Sequence, residues 1–373
     1  MRRIIILKLT RMGDILESAP LISAIRSVEP DARITLVVNE AFRETAELIA
    51  DVDQLLAFPF LQFAREMREG DADLVELYQH LEGFADALGR EPYDLALNVT
   101  NSRLSGVLMG FIRARRRSGL WYDEDGARQV LGGFVRYFAP NEGMRRYNPF
   151  NITDFMIGQY GHPGLPCSGR LRIPPASISE ADLLLSEGQE MLIGIQTGAS
   201  EAGKRWRIDD FAAVASRLLE KPGRSIILLG SPDERPLAER LMQKLGDRAA
   251  RAIDLVGRTS ISTLAAVTGR LRLLISNDTG TMHLAAALGV RVLNLSLGSA
   301  YFRETGPYGD GHLILEPRID CRPCDYAFEC PHCDCKRRIA PATVTALSEV
   351  LLRDGEGLHL AGIEAAGLHL AGL

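Results

Sequence analysis

The chain has 373 residues, of which 46% are hydrophobic and 24% charged, and this length suits two globular domains with a core each. The formal net charge of -5 argues against a general nucleic-acid-binding protein. No run approaches the roughly 20 apolar residues of a membrane-spanning helix. The basic start contains Lys8 and lacks a small-residue cleavage site, so we expect a cytoplasmic protein.

Short apolar runs alternate with helical patterns through the first half of the chain, which is typical of a parallel sheet covered by helices. The run at residues 4–9 predicts the first strand, and the turn from Thr10 to Asp14 leads into a helix. The remaining elements are expected as strands at 34–38, 54–58 and 93–99, and as helices at 41–50, 61–88 and 104–112.

A cluster of positive charge interrupts this acidic chain between Leu95 and Tyr122, a stretch without any acidic residue. Its five arginines are Arg103, Arg113, Arg115, Arg116 and Arg117. Such an asymmetry indicates an anionic partner at this face of the protein. The alternative is a solvated strand edge, whose charges discourage aggregation.

The best linker candidate is the stretch from His162 to Ser179, which has four prolines and no clean period. Apolar alternation resumes at residues 191–195, so the second domain is expected from about residue 185. Further buried strands are predicted at 225–229, 271–275 and 292–295. Two doubly wound domains joined by a linker are expected to form a cleft, where ligands bind beside the carboxyl ends of strands.

Two turns in the second half have the composition of phosphate sites. The turn from Ser276 to His283 follows a predicted strand and opens a helix, whose free N–H groups and dipole favour an anion. The loop from Gln196 to Trp206 is rich in small residues and carries Lys204, whose side chain can reach a diphosphate held by backbone N–H groups. The alternatives are a plain strand-to-helix turn and an ordinary surface loop.

Two carboxylates also follow predicted strands. Glu234 is placed to accept hydrogen bonds from a ribose, or else favours the dipole of the following helix. Asp14 lies in an exposed turn, where it either caps the first helix or takes a proton as a general base. The residues alone leave both alternatives open in each case.

With these residues together, the chain resembles glycosyltransferase family 9, the lipopolysaccharide heptosyltransferases. The ordered motifs that carry the resemblance are Lys8 to Leu16 with Pro20, Thr197-Gly198 with Lys204 and Trp206, Gly230-Ser231 with Glu234, and Asp278 to His283. The resemblance implies a GT-B architecture, in which two Rossmann-like α/β domains face a central cleft. Residues 1–175 would be the acceptor domain and 185–340 the donor domain, with a helix at 341–353 packing back on the N-terminal domain and a tail at 354–373.

The implied activity is the inverting transfer of a heptose or related sugar from an ADP-linked donor to a hydroxyl of a lipopolysaccharide core or related envelope glycan, with peripheral contact at the inner membrane. The resemblance assigns the general base to Asp14 and requires no cofactor for catalysis. It assigns the donor to Thr197, Gly198, Lys204, Glu234, Asp278, Thr279, Gly280, Thr281, Met282 and His283. An anionic glycolipid acceptor would explain the basic cluster, with Arg103, Arg113, Arg115 and Arg116 as its ligands.

Two other interpretations of function stay open at this point. One is a nucleotide-sugar epimerase, which shares the paired-domain architecture but needs no acceptor. The other is a non-catalytic module that binds a nucleotide sugar or a metal, with Asp14 serving only as a helix cap.

Five of the six cysteines lie within residues 321–335, a crowding that indicates a metal site rather than a secreted disulfide framework. The Cys-x2-Cys pairs favour zinc, and mononuclear iron on four thiolates is a close rival. An iron–sulfur cluster or an unligated, partly oxidised loop are the alternatives. By resemblance to family relatives the ligands are Cys321, Cys324, Cys330 and Cys335, with Cys333 and His332 as spares.

The tail repeats Gly-Leu-His-Leu-Ala-Gly at residues 357–362 and 367–372. Two copies are too few for a solenoid. We expect a disordered end, the alternative being an amphipathic appendage for self-association or membrane contact.

Overall fold

The computed structural model describes residues 1–60, 65, 67–68, 73–138, 145, 147–165, 167–185, 191–324, 330, 332–353 and 368–371. The chain divides into two compact units. Unit 1 comprises Met1–Met144 and Ile152–Arg172, and unit 2 comprises Arg145–Asn151 and Ile173–Leu373. The change of unit after Arg172 lies within the predicted linker, whereas the sequence does not predict the short excursion at 145–151.

Unit 1 is built on a six-stranded sheet. Its strands are β1 (Arg3–Leu7), β2 (Arg33–Asn39), β3 (Gln54–Phe58), β4 (Tyr93–Asn98), β5 (Ala114–Tyr122) and β6 (Arg128–Leu131). Their order is β3-β2-β1-β4-β5-β6, and all neighbours are parallel except the antiparallel pair β5 and β6. The described helices are α1 (Met12–Leu16), α2 (Ala19–Val28), α3 (Arg43–Glu47), α4 (Leu74–Gly89), α5 (Arg103–Phe111), α6 (Gly133–Phe138) and α7 (Ile152–Tyr160).

The central strand β1 is buried on both faces. Every side chain from Ile4 to Leu7 is inaccessible to solvent, as expected for a parallel strand covered by helices on either side. The helix α2 begins with Pro20 in its first turn, where proline needs no hydrogen-bond acceptor, and buries Leu21 and Ile25. A continuous apolar run followed by a helical period is the pattern that predicts this part of the fold.

Unit 2 contains β7 (Met191–Gln196), β8 (Arg224–Leu229), β9 (Ala252–Asp254), β10 (Leu273–Asn277), β11 (Val292–Leu295), β12 (Leu313–Pro317) and β13 (Leu368–Ala371). The sheet has the order β13-β12-β11-β10-β7-β8-β9, with β13 antiparallel and the others parallel. The described helices are α8 (Pro175–Leu184), α9 (Ile208–Leu218), α10 (Arg235–Leu245), α11 (Ile261–Thr268), α12 (Gly280–Ala287), α13 (Phe302–Thr305), α14 (Asp334–Arg338) and α15 (Pro341–Leu352). Among all the helices that the structure describes, none is long and apolar enough to cross a membrane.

Each sheet reverses its strand order beside its first strand, and this reversal positions the site. In unit 1 the chain builds outward through β2 and β3 on one side of β1, and through β4 and β5 on the other. In unit 2 the strand β7 has the same position, between β8 and β10. Such a switch point opens a crevice at the carboxyl ends of the two central strands, where ligands bind in doubly wound folds.

The excursion at 145–151 joins unit 2 through polar contacts. The guanidinium of Arg145 pairs with Glu304 of α13 and donates a hydrogen bond to the carbonyl oxygen of Ser299 (3.0 Å). The side-chain amide of Asn151 donates to the carbonyl oxygen of Gly306 (3.2 Å). This segment therefore holds the loop that follows β11.

The C-terminal helix α15 packs within unit 2. Val344, Leu347 and Leu351 belong to the same apolar core as residues of α9, β10 and β11. Arg224 of β8 forms an ion pair with Glu349 (2.6 Å), and its hydrogen bonds to that carboxylate lower the pKa of Glu349 to about 2. The apolar face of the helix is used by the core of unit 2, and the expected packing on the N-terminal domain stays a prediction.

The tail departs from the expected disordered end. Residues Leu368–Ala371 form β13, which pairs antiparallel with β12 at the edge of the sheet. This strand lies within the second copy of the repeat at 367–372, while the first copy at 357–362 lies outside the described residues. Backbone pairing at an open sheet edge needs no specific side-chain pattern, so the composition of the tail does not predict this strand.

Candidate functional site

Lys8 follows β1 directly and lies at the carboxyl edge of the unit 1 sheet. The residue is only 4% exposed, and its ammonium forms no ion pair with any residue that the structure describes. A buried charge without a partner is costly, so this ammonium is available for an anion that the described residues do not supply.

The loops after β1 and β4 are joined to each other at the switch point. The N–H of Leu9 donates to the hydroxyl of Thr100 (2.8 Å), which in turn donates to the carbonyl oxygen of Leu7 (3.1 Å). The side chain of Asn98 accepts the N–H groups of Thr100 and Asn101 (3.1 Å each). These bonds fix the backbone around Lys8 without using its side chain.

The two carboxylate oxygens of Asp14 have different surroundings. Its Oδ2 accepts the backbone N–H of Arg11 (3.0 Å), so the residue does cap α1. Oδ1 has no hydrogen-bond partner among the described residues, and the side chain is half-buried. The cap and the proton acceptor are therefore compatible, since each uses a different oxygen.

The predicted acceptor arginines fall on two different edges of the sheet. Arg103 opens α5, immediately after the carboxyl end of β4, and is exposed on the same edge as Asp14. Arg116 is in register with Leu95, which pairs with Ile4, so it is level with the beginning of β1. The structure therefore brings only Arg103 to the edge that carries Asp14.

The other arginines have structural roles at the opposite edge. Arg113 donates to the last carbonyl oxygens of α4, those of Gly89 and Arg90 (2.8 Å each). Arg115 lies 3.6 Å from Asp94. The antiparallel β6 pairs only with the second half of β5, from Gly119 onward. The basic stretch thus has the features of the solvated strand edge, and the acceptor role expected for Arg113, Arg115 and Arg116 stays a prediction.

Asn277 organises the loop after β7 in unit 2, and the sequence did not single it out. Its side-chain NH₂ donates to the carbonyl oxygens of Thr197 (2.9 Å) and Gly198 (3.0 Å), and its oxygen accepts the N–H of Trp206 (3.0 Å). The residue is fully buried at the end of β10. One amide thus holds both ends of the predicted phosphate loop. In the sequence, the signal that could have identified Asn277 is a polar residue at the end of an apolar strand.

Glu234 packs directly against glycine in this loop. Its Oε2 accepts hydrogen bonds from the Gln196 side chain (2.7 Å) and the Ser231 N–H (2.9 Å). A Cβ at Gly198 would lie 1.7 Å from Oε1 of Glu234, so only glycine fits there. Oε1 itself has no partner among the described residues, which leaves it able to accept a hydroxyl. The expected role at the dipole of the following helix and the expected ligand role are compatible here as well.

Lys204 and Asp278 meet at the switch point of unit 2. The ammonium of Lys204 lies 3.9 Å from Oδ2 of Asp278, and both side chains are largely buried. The hydroxyl of Thr305 donates to the same carboxylate oxygen (2.7 Å). At 3.9 Å the ion pair orients the ammonium but leaves its hydrogen-bonding capacity for another acceptor.

The start of α12 offers fewer free donors than the motif predicts. Thr279 caps the helix by accepting the N–H of Met282, whose side chain is buried in the core. The N–H groups of Gly280 and Thr281 donate to no other described residue, and they point out from the positive end of the helix. Met282 therefore supports the site by packing, while His283 is buried beside it.

One small cavity of unit 2 is surrounded by sulfur. Its lining includes Cys321, Cys324, Cys330, Cys333 and Cys335, together with His332, Lys336, Gly203 and Gly298. Burial and neighbouring thiols raise the pKa of Cys321, whereas backbone N–H groups lower that of Cys330. Thiolates are the ligands that zinc and iron prefer, so the donor set suits such an ion. Even so, no three His, Cys, Asp or Glu side chains of the described residues are grouped closely enough to hold a metal.

Known proteins share both the sequence pattern and the architecture of this chain. Residues 82–327 match the family described as glycosyltransferase family 9 (heptosyltransferase). Over 302 residues the chain is 26% identical to lipooligosaccharide heptosyltransferase 2 of Haemophilus ducreyi, an alignment covering 77% of this chain and 80% of that protein.

Solved structures identify the fold. The chain is similar to Escherichia coli ADP-heptose lipopolysaccharide heptosyltransferase II, with a TM-score of 0.69, 19% identity and coverage of 96% of this chain and 100% of that one. It is also similar to the iron-containing dodecameric glycosyltransferase TibC of enterotoxigenic Escherichia coli, with a TM-score of 0.50, 13% identity and coverage of 94% and 76%. With two Rossmann-like units, the fold is GT-B.

Replacing Gly198 by alanine should destabilise unit 2 through one defined collision. The new Cβ would overlap the carboxylate of Glu234, and such overpacking costs about 1–3 kcal/mol. Urea unfolding should show this loss for Gly198→Ala. In the double variant Gly198→Ala/Glu234→Ala, the loss of unfolding free energy should be smaller than the sum of the losses in the two single variants, because Glu234→Ala removes the carboxylate. Gly83→Ala is the control, since nothing lies within 4 Å of a Cβ there; additive losses would contradict the proposed contact.

Proposed function

The chain belongs to glycosyltransferase family 9, and we propose that it moves a heptose or related sugar from an ADP-linked donor to a hydroxyl of a lipopolysaccharide core or related envelope glycan. Family membership makes the protein a sugar-transferring enzyme and decides against the epimerase and the non-catalytic module. One observation carries the substrate proposal. The family motifs coincide with the two switch points. Among the described residues, one oxygen of the unit 1 carboxylate and the helix N–H groups beside the unit 2 lysine have no hydrogen-bond partner.

We assign the donor nucleotide to unit 2. The departing diphosphate gains negative charge as the bond from its oxygen to the anomeric carbon breaks, and fixed positive groups stabilise that change. Lys204 and the N–H groups of Gly280 and Thr281 supply such groups, while Asp278 orients the lysine. The Oε1 of Glu234, which accepts no hydrogen bond from the described part of the chain, is suited to a ribose hydroxyl.

The remaining predicted donor residues stabilise the loop and the helix that carry these ligands. Thr197 and Gly198 are fixed through their carbonyl oxygens by Asn277. Thr279 closes the first turn of α12, and Met282 and His283 are buried under it. We therefore treat them as the frame of the site rather than as its principal ligands.

We assign the proton transfer to Asp14 in unit 1. As the acceptor hydroxyl oxygen attacks the anomeric carbon from the face opposite the diphosphate, its proton passes to Oδ1 of Asp14, and ADP leaves with the electron pair of the broken bond. The configuration at that carbon is inverted. The cap on Oδ2 holds the carboxylate in position during this step.

We propose that the acceptor is anionic, and two cations of unit 1 support this. Lys8 has a buried ammonium without an ion-pair partner among the described residues, and Arg103 is exposed on the same edge of the sheet. A carboxylate or phosphate of the acceptor would pair with Lys8 and remove the cost of its isolation. An acceptor anchored in lipid A further implies peripheral contact with the inner membrane.

We also propose a structural zinc or mononuclear iron at Cys321, Cys324, Cys330 and Cys335. All four line one cavity, and their thiolates match either ion in donor type and number. Such an ion would stabilise the fold of the segment. The transfer chemistry described above needs no group beyond the residues of the chain.

Asp14→Asn should abolish most turnover while preserving the helix cap, because the amide oxygen still accepts the Arg11 N–H but takes no proton. We expect kcat to fall by roughly 10²- to 10⁴-fold, with ADP affinity unchanged in calorimetry. The matched control is Asp73→Asn, at the cap of α4, where the side chain accepts the N–H groups of Val75 and Glu76. Near-normal turnover in Asp14→Asn would require a different base.

Lys8→Met should separate acceptor binding from stability. Loss of the charge should raise the acceptor KM about tenfold or more, equivalent to about 1.4 kcal/mol, with the donor KM unchanged. The thermal midpoint should stay the same or rise, since an apolar side chain replaces an unpaired buried charge. Lys244→Met, which affects only the surface pair with Asp209, is the control. An unchanged acceptor KM would remove Lys8 from the site.

Elemental analysis of the purified protein should find about one zinc or iron per chain. Cys321→Ser should lower that content, because three thiolates hold such ions less well than four. Cys167→Ser provides the control, since this free cysteine lies in unit 1, outside the cluster. Absence of stoichiometric metal in the unsubstituted protein would refute the site.

A further inference from the structure

The cysteine-rich segment of unit 2 is tied to the loop after β11 by a buried guanidinium. Arg322 donates to the carbonyl oxygens of Gly298 (3.2 Å) and Ala300 (2.6 Å), and to Glu316 on β12 (2.6 Å). The N–H of Cys324 donates to the same Gly298 carbonyl oxygen (3.1 Å). The beginning of the segment therefore fixes the backbone of this loop.

That loop in turn packs against the backbone that carries Lys204. Gly298 has a φ of +60°, which favours glycine, and a Cβ there would lie 2.6 Å from the carbonyl carbon of Gly203 and 2.9 Å from the nitrogen of Lys204. The backbones can lie this close only because Gly298 has no side chain. Any displacement of Gly298 toward this loop would therefore displace Lys204.

The end of the segment holds the same loop on both sides of Lys204. In α14, the ammonium of Lys336 donates to the carbonyl oxygen of Ala202 (2.8 Å), two residues before Lys204. The carbonyl oxygen of Lys336 accepts the indole N–H of Trp206, two residues after it (3.2 Å). One residue of the cysteine segment thus spans the loop that presents the lysine.

We infer that the described parts of the cysteine-rich segment, residues 321–324 and 332–339, form a brace for the Lys204 loop, and that Lys336 is a positioning residue for donor binding. This inference rests on the proposed assignment of the diphosphate to Lys204. A loop ordered before the donor arrives loses less conformational entropy on binding, so the brace acts on donor affinity. The acceptor side in unit 1 is not involved.

The test substitutes Lys336 by methionine, which removes the bond to Ala202 and keeps the apolar stem. The dissociation constant for ADP, measured by calorimetry, and the donor KM should both rise about tenfold. The kcat at saturating donor and the acceptor KM should stay at the unsubstituted values. Lys336→Arg, which can still donate to the carbonyl oxygen, should restore most of the affinity. Arg338→Met is the matched control, an exposed cation on the same helix.

The outcomes distinguish this inference from the proposed function. If the unsubstituted protein does not bind ADP, the donor assignment fails and the inference fails with it. If that protein binds ADP and Lys336→Met binds it equally well, the donor assignment stands and the brace is wrong. A fall in kcat together with a lower thermal midpoint, not reversed by Lys336→Arg, would also overturn the inference, because it would show general structural damage.

Discussion

The side-chain amide of Asn277 is the interaction on which the arrangement of unit 2 depends. It lies at the end of β10 and bonds across the switch point to three backbone groups of the loop after β7. The divergence of helices at a switch point opens a crevice, but it also leaves the flanking loops without ladder partners. A buried amide with two N–H donors and one strong acceptor supplies the hydrogen bonds that strand pairing would otherwise provide. The position of Lys204 therefore depends on the hydrogen bonds of Asn277.

The two units treat charge in opposite ways. In unit 2, Asp278 forms an ion pair with Lys204 and accepts a hydrogen bond from the Thr305 hydroxyl. The ammonium is therefore held in place before any ligand binds. In unit 1, Lys8 is buried without a counterion among the described residues. A preorganised cation suits a leaving group whose charge grows during the reaction. An unpaired cation instead favours a ligand that is anionic from the beginning, at a cost in stability of the free protein.

The sequence predicts the central strands well and the use of charge poorly. All eight strands expected from apolar runs are present with ends within two residues, because burial on both faces imposes such runs. Composition does not encode which edge of a sheet an arginine occupies, because that depends on the strand register, as for Arg116 with Leu95. Likewise, an apolar helix face as in α15 does not specify which core it joins.

The shape of the donor side is not predicted by any local motif, because the parts that determine it are far apart in the sequence. A side chain at Gly198 would collide with Glu234, and a side chain at Gly298 would collide with the backbone at Gly203. Both glycines are required because another part of the chain lies very close to them, and the residues next to them in the sequence do not reveal this. The motif that ends at His283 therefore marks where the helix begins, while the fit of the loop around Lys204 depends on residues from Gly198 to Lys336. A family motif locates such a site; the contacts between distant glycines, carboxylates and amides determine its shape.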